Sequence, residues 1–276
     1  MRIIHIAAEC SHLIKAGGLA DVVYGLAKAQ QAHHHVEVIL PKYDTIDYTI
    51  LKNLHVSLRD LWSYHDSERV HNSVWSDTLN GIHISLIEAH HKDYFFSRGH
   101  IYGQKDDTTR FLYFCRCVYE LIVLHKGTVD ILHLHDWQTA GLALLLKTFC
   151  PKDAKLPKIV YTIHNLNYHG ICTPSELLKI GIRAQDYLYQ DALQDPKKLN
   201  KINLTKAALK FSDVITTVSE SYAQEIQTKQ GGCTLDEFIK NRSSDLFGIV
   251  NGIDFDQYNP AKDNMLFQHH LRYSVV

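Results

Sequence analysis

Residues 2–8, RIIHIAA, form a short apolar run of the kind carried by a strand covered on both faces. The following segment, GGLADVVYGLAKAQQA at 17–32, repeats its apolar positions at helical spacing, with Leu19, Val22, Val23, Leu26 and Ala29 on one stripe. VEVILP at 36–41 returns to a strand pattern. A strand, helix, strand unit of this kind builds a doubly wound α/β sheet with right-handed crossovers. The alternation resumes downstream: a helix at 108–125, a strand VDILHLHD at 129–136, a helix at 137–149 and a strand KIVYTIH at 158–164. After an irregular polar segment come a helix at 203–211, a strand at 213–218, a helix at 219–227 capped by Ser219, and a last strand, FGIVNGI, at 247–253.

Two stretches break this rhythm. VHNSVWSDTLNGIHISLIEA at 70–89 alternates with period two on both sides of Asn80-Gly81, a dipeptide suited to the left-handed angles of a type I′ turn, and predicts a β-hairpin insert. The polar and aromatic loop HHKDYFFSRGHIYGQKDD at 90–107 is long for a compact domain, and such loops usually carry function. No internal repeat or low-complexity linker is visible. The pattern predicts a Rossmann-like domain over 1–245, with 246–276 as a linker and the start of an incomplete second unit.

Composition narrows the partners. The 276 residues, 45% hydrophobic, can bury a substantial core, and 29 basic against 30 acidic residues leave a formal net charge of -1. No whole-chain field therefore favours nucleic acid or an anionic membrane. The longest apolar stretch, AGLALLL at 140–146, falls far short of the roughly 20 residues that span a bilayer. The N-terminal run, broken by His5 and Glu9, is too short and polar for a secretory signal, and the six cysteines have no C-x-x-C pairs, so a cytoplasmic protein with reduced thiols is expected. The triplet His33-His34-His35 reads as a helix-to-strand loop.

In open α/β sheets ligands bind beyond the carboxyl ends of the strands. After the first strand, Gly17 and Gly18 permit close backbone approach, the helix start offers unpaired N–H groups, and Lys15 adds a cation; together they suit an anion. Neither G-x-G-x-x-G nor the P-loop pattern is met, and a plain glycine turn with a solvated lysine also fits. Asp21 is explained by the helix dipole alone. On VDILHLHD, His133 and His135 share one face, with Asp136 and Trp137 at the strand end. The histidines could hold a metal, whereas a carboxylate beside an indole suits a sugar. His164 and Asn165 follow the next strand at the same level. Tyr94, Phe95 and Phe96 in the long loop are either ligand contacts or a small core.

These segments in this order resemble the amino-terminal half of the bacterial glycogen synthase and plant starch synthase family, retaining GT-B glycosyltransferases of family 5. The resemblance runs through K-x-G-G-L-A-D-V (15–22), YFFSRGHIYG (94–103), HLHDWQTA (133–140), TIHNLNYHG (162–170), 204–226 and VNGIDFDQYNP (250–260). It implies the first of two Rossmann-like domains facing across a cleft, and transfer of glucose from ADP-glucose to the non-reducing end of an α-1,4-glucan, without metal or other cofactor. It places Lys15, Gly17, Gly18, Asp21 and Asn165 toward the donor, Asp136 and His164 as catalytic groups facing the transferred glucose, and Tyr94 toward the acceptor. Ala16 stands where the family usually has threonine, so a hydroxyl contact there is lost. Without the facing domain, this stretch is expected to be inactive alone.

Overall fold

The computed structural model describes residues 1–125, 127–150, 155–189, 192–255, 258–261 and 266. Its elements are β1 (Arg2–Ile6), α1 (Gly18–Gln30), β2 (His35–Pro41), β3 (His55–His65), β4 (Glu68–Leu79), β5 (Ile82–Ala89), α2 (Asp107–Leu124), β6 (Ile131–His135), α3 (Trp137–Phe149) and β7 (Lys158–Ile163). They continue with β8 (Ile171–Cys172), α4 (Pro174–Lys179), β9 (Ile202–Asn203), α5 (Leu204–Phe211), β10 (Val214–Thr217), α6 (Glu220–Glu225), α7 (Asp236–Lys240) and β11 (Leu246–Gly248).

One mixed sheet runs in the order β11-β10-β7-β6-β1-β2-β5-β4-β3, with β8 and β9 pairing apart from it. From β11 to β5 every neighbouring pair is parallel, and β4 and β3 add antiparallel pairs at one end. The chain winds from β1 outward through β2, then returns to β1's other side at β6 and winds the opposite way through β7 and β10. This is the doubly wound α/β arrangement read from the alternating pattern.

The hairpin forms at Asn80-Gly81, both with positive φ (50° and 87°). It is no appendage, however, because β5 pairs in parallel with β2 and carries β4 and β3 into the main sheet. Strand β3 was not legible in the pattern: register shifts between Val56 and Leu58 and between Leu58 and Leu61 break its alternation, and its outer position leaves many side chains in water. The expected strand 247–253 is corrected to Leu246–Gly248. Its neighbour β10 ends at Thr217, so after one more bond, from Ile249 N to Thr217 O (2.8 Å), the chain has no ladder to follow, and Ile249, Val250 and Ile253 lie exposed.

Helices α2, α3 and α5 pack side by side. Helix α3 buries the continuous run Gln138 to Leu146, and a Cβ on Gly141 would come within 2.9 Å of Leu112 Cδ2, so glycine sets how closely α2 and α3 approach. The sheet surface beside α1 differs: His5, His133, His135 and Thr162 are buried there among apolar strand residues. All six cysteines are free, and among the described residues no helix is long and apolar enough to cross a membrane.

Candidate active site

Strands β7, β6 and β1 are adjacent, so the loops after them open at one edge of the sheet, with the winding reversing between β6 and β1. Such a reversal parts the flanking loops and creates a crevice. The loop of Lys15, Gly17 and Gly18 follows β1, Asp136 follows β6, and His164 and Asn165 follow β7.

The two glycines are unexplained by the chain itself. Gly17 is extended (φ −147°), Gly18 begins α1, and neither has a positive φ. A Cβ on Gly18 would meet nothing within 4 Å, and one on Gly17 only Glu9 Oε1 at 4.0 Å. Neither a turn nor internal packing requires glycine here, which removes the glycine-turn reading and leaves open space beside the backbone.

That backbone is not wholly available to a ligand. The buried Glu9 carboxylate accepts from the N–H groups of Ala16 (2.6 Å) and Gly17 (2.9 Å) through Oε2, and from the Tyr102 hydroxyl (2.8 Å) through Oε1. The Gly17 N–H expected to face an anion is thus directed to an internal carboxylate, while the first turn of α1 still presents its N-terminal N–H groups. Lys15 Nζ pairs with Asp21 Oδ2 at 2.6 Å and Oδ1 at 2.8 Å, and Ser11 Oγ also donates to Oδ1. The hydrogen bond to Asp21 raises the lysine above its ordinary range. Asp21 is therefore more than a helix-dipole carboxylate: it holds the ammonium at the mouth of α1.

Asp136 sits at φ 57°, ψ −177°, a conformation nearly confined to glycine that costs about 1–3 kcal/mol in other residues. Its surroundings impose it. The Asp136 N–H donates to Thr162 O, its carbonyl accepts from Thr139 N and Oγ1, and its carboxylate Oδ1 accepts from the backbone N–H of His164 (2.7 Å) and Asn165 (3.4 Å). One carboxylate therefore clamps the end of β7 to the end of β6. Burial pushes this carboxyl up from 3.8 to about 7, against the two N–H bonds that lower it and with a smaller push from the Glu9 charge. The residue is half-buried in the fold.

His164 is half-buried too, and burial lowers its imidazole to about 4, so it is neutral at physiological pH. Its Nε2 lies 3.0 Å from His135 Nδ1. Asn165 is exposed and folds its Oδ1 back onto the N–H of Asn167 (3.0 Å), which shapes the loop after β7.

His133 and His135 do share a face, and His5 from β1, missed in the sequence reading, joins them: ring centroids lie 4.3 Å apart for His133 and His135, and 5.0 and 5.3 Å from His5. One nitrogen of each could converge on a cation. Those rings instead bond to one another and to Gln30, Thr162 and His164, bonds that a cation would have to replace. Trp137 is not an open platform: its ring meets Phe111 edge-on at 5.6 Å and packs on Gly170, whose φ of 61° and lack of a Cβ make room for it.

The long loop divides. Phe95 and Phe96 are core residues, whereas Tyr94 is 69% exposed with a φ of 50°. Buried Arg110 holds the loop by donating to the carbonyls of Phe95 and Ile101 while pairing with Asp107, and Tyr102 ties it to Glu9. Glu9, Tyr102 and Arg110 were not singled out from the sequence. The available signals were a carboxylate and an arginine interrupting apolar runs. A cleft of about 710 Å³ runs along α1 from Asp21 to Gln30, floored by His133, His135, Thr162 and Thr216 and bordered by residues 249–255.

The profile of the starch synthase catalytic domain matches residues 2–241. The chain belongs to this family. It is 41% identical over 266 residues to probable starch synthase 4, chloroplastic/amyloplastic, of Arabidopsis thaliana, covering 96% of this chain and 26% of that protein. Glycogen synthase of Protochlamydia amoebophila (strain UWE25) is 40% identical over 98% of this chain and 54% of its own length. The catalytic domain of starch synthase IV from Arabidopsis thaliana, solved bound to ADP and acarbose, superposes with a TM-score of 0.92 at 40% identity, over 97% of this chain and 55% of that one. The chain thus spans about half the length of its bacterial relatives, and its starch synthase fold is that of one part of a GT-B enzyme.

Proposed function

We propose that the whole protein transfers glucose from ADP-glucose to the non-reducing end of an α-1,4-glucan with retention, in the cytoplasm, and that this stretch supplies the acceptor-side wall. The observation that carries the reading is Asp136, a strained residue whose carboxylate joins two strand ends at the winding reversal, next to the strand whose following loop carries glycines that neither backbone nor packing requires. The starch synthase neighbour bound to ADP and acarbose supports nucleotide and glucan ligands.

In this reading the reaction must stabilise a departing diphosphate beside an oxocarbenium-like sugar. Lys15 leaves Asp21 for the diphosphate, and the start of α1, with Gly17 and Gly18 giving room, adds its dipole. A charge-assisted hydrogen bond contributes about 1.5–3 kcal/mol and the dipole about 0.3–1, so Lys15 dominates. Asp136 and His164 face the transferred glucose, Asn165 supports the loop between them, and Tyr94 offers an exposed ring to the glucan.

The test is a transfer assay on the full-length protein with ADP-glucose and UDP-glucose as donors and glycogen as acceptor. Lys15→Ala is expected to lower transfer at least about tenfold, which corresponds to about 1.4 kcal/mol. Normal transfer in that variant would remove the leaving-group role, and glucan binding without transfer from either donor would favour a non-catalytic glucan-binding module.

A further inference from the structure

The buried histidines form a bystander and a chain. His133 bonds sideways to Thr162 Oγ1 at 2.6 Å, and that hydroxyl bonds to Thr216 Oγ1 at 2.6 Å. The other rings bond end to end. Gln30 Oε1 lies 2.8 Å from His5 Nε2, His5 Nδ1 lies 3.0 Å from His135 Nε2, and His135 Nδ1 lies 3.0 Å from His164 Nε2. His5 and His135 are fully buried.

A neutral imidazole has one donor and one acceptor nitrogen, so the choice made at one end of such a chain passes to the other. Burial lowers all three imidazoles and keeps them neutral. The Gln30 carbonyl oxygen can only accept. His5 therefore donates from Nε2 and accepts at Nδ1, His135 donates from Nε2 and accepts at Nδ1, and His164 donates from Nε2 and keeps its Nδ1 lone pair. That Nδ1 is not among the buried polar atoms without a partner, and its residue is half-buried, so it reaches solvent just beyond the end of β7.

We infer that Gln30, the last residue of α1, is a positioning residue: through His5 and His135 it fixes His164 as the Nε2–H tautomer and turns the Nδ1 lone pair toward the substrate. A lone pair there accepts from a sugar hydroxyl and places negative charge density beside an oxocarbenium-like centre, whereas the reversed chain would direct an N–H at it. The inference deepens the proposed function and rests on it for the position of the sugar; the tautomer itself does not depend on it.

Turning the amide of Gln30 would reverse every bond in the chain, and substitutions can impose either direction. Gln30→Glu offers only an acceptor, and Gln30→Lys only a donor. The experiment records ring ¹⁵N–¹H correlations in protein labelled at histidine, with His164 identified by the signals lost in His164→Gln. The expected result is an Nε2–H tautomer at His164 in the wild type and Gln30→Glu, and an Nδ1–H tautomer in Gln30→Lys. Gln30→Met removes both options without placing a charge, and is expected to leave His164 averaged between tautomers even if the lysine variant does not fold. An Nδ1–H tautomer in the wild type, or an unchanged one in Gln30→Met, would overturn the inference. In the full-length protein, Gln30→Lys is expected to lower kcat at least tenfold with donor KM within twofold, and Gln30→Glu to restore kcat. A reversed tautomer with wild-type kcat would instead overturn the sugar-facing role of His164.

Discussion

Asp136→Asn separates what the aspartate costs the fold from what it does in the crevice. Asparagine keeps the shape, the tolerance of positive φ and the oxygen that accepts from His164 N and Asn165 N, and removes only the charge. In the wild type the carboxyl titrates at 3.8 when unfolded and at about 7 when folded. Well below 3.8 both states hold the proton and the charge has no effect. As pH rises toward 7 the unfolded chain releases its proton first, so the wild type loses stability, and above 7 the full penalty persists. The interval between the two values sets a ceiling of about 4 kcal/mol. Because the residue is only half-buried, we expect roughly half of this, about 2 kcal/mol, or a rise in Tm of about 4–8 °C. Melting of both proteins at pH 4 and pH 8, followed by calorimetry, reads the difference. A Tm gain at pH 8 that shrinks to a small fraction at pH 4, together with at least tenfold slower transfer by the full-length variant, is expected. An equal Tm difference at both pH values, or a loss at pH 8, would refute the reasoning.

Gly18→Ala should leave Tm unchanged or slightly higher, since the added methyl meets nothing and alanine suits a helix better, yet weaken ADP-glucose binding measured by calorimetry on the full-length protein. A loss of Tm without a loss of binding would show that the glycine serves the fold. Tyr94→Gly should relieve a left-handed conformation worth about 1 kcal/mol, raising Tm by about 2–4 °C, while glycogen binding weakens. If affinity for glycogen is unaltered, Tyr94 is not an acceptor contact.

The parallel half of the sheet was legible because its strands are short apolar runs between amphipathic helices, and the hairpin because Asn80-Gly81 names its own turn. Strand β3 was hidden by bulges at an outer edge, and 249–253 looked like a strand because apolar residues next to a glycine resemble one whether or not a partner strand exists. At the site, Lys15, Asp136 and His164 were visible as polar residues at strand ends. Their governing contacts were not. The Glu9 carboxylate reaches across a loop to Ala16 and Gly17, Asp136 reaches a different strand, and the His5–His135–His164 contacts join residues far apart in the chain. The first depends on the path of one loop and the others on strand order, neither of which periodicity along the chain contains.

The strand order also dictates a history. Strand β1 leaves the ribosome before the strands that flank it, and β2 pairs beside it early, but its other flank waits for β6, which sets Ile3 opposite Ile131. The run from β1 through β5 can assemble from its own neighbours, whereas the crevice straddles the seam between this early half and the late one. His5 therefore remains without His135, and the loop of Gly17 and Gly18 without its opposite wall, until the chain has been made beyond Asn165. Closing so long a loop is slow relative to local pairing. The same reversal of winding that parts these loops makes the crevice wait for the second half of the fold.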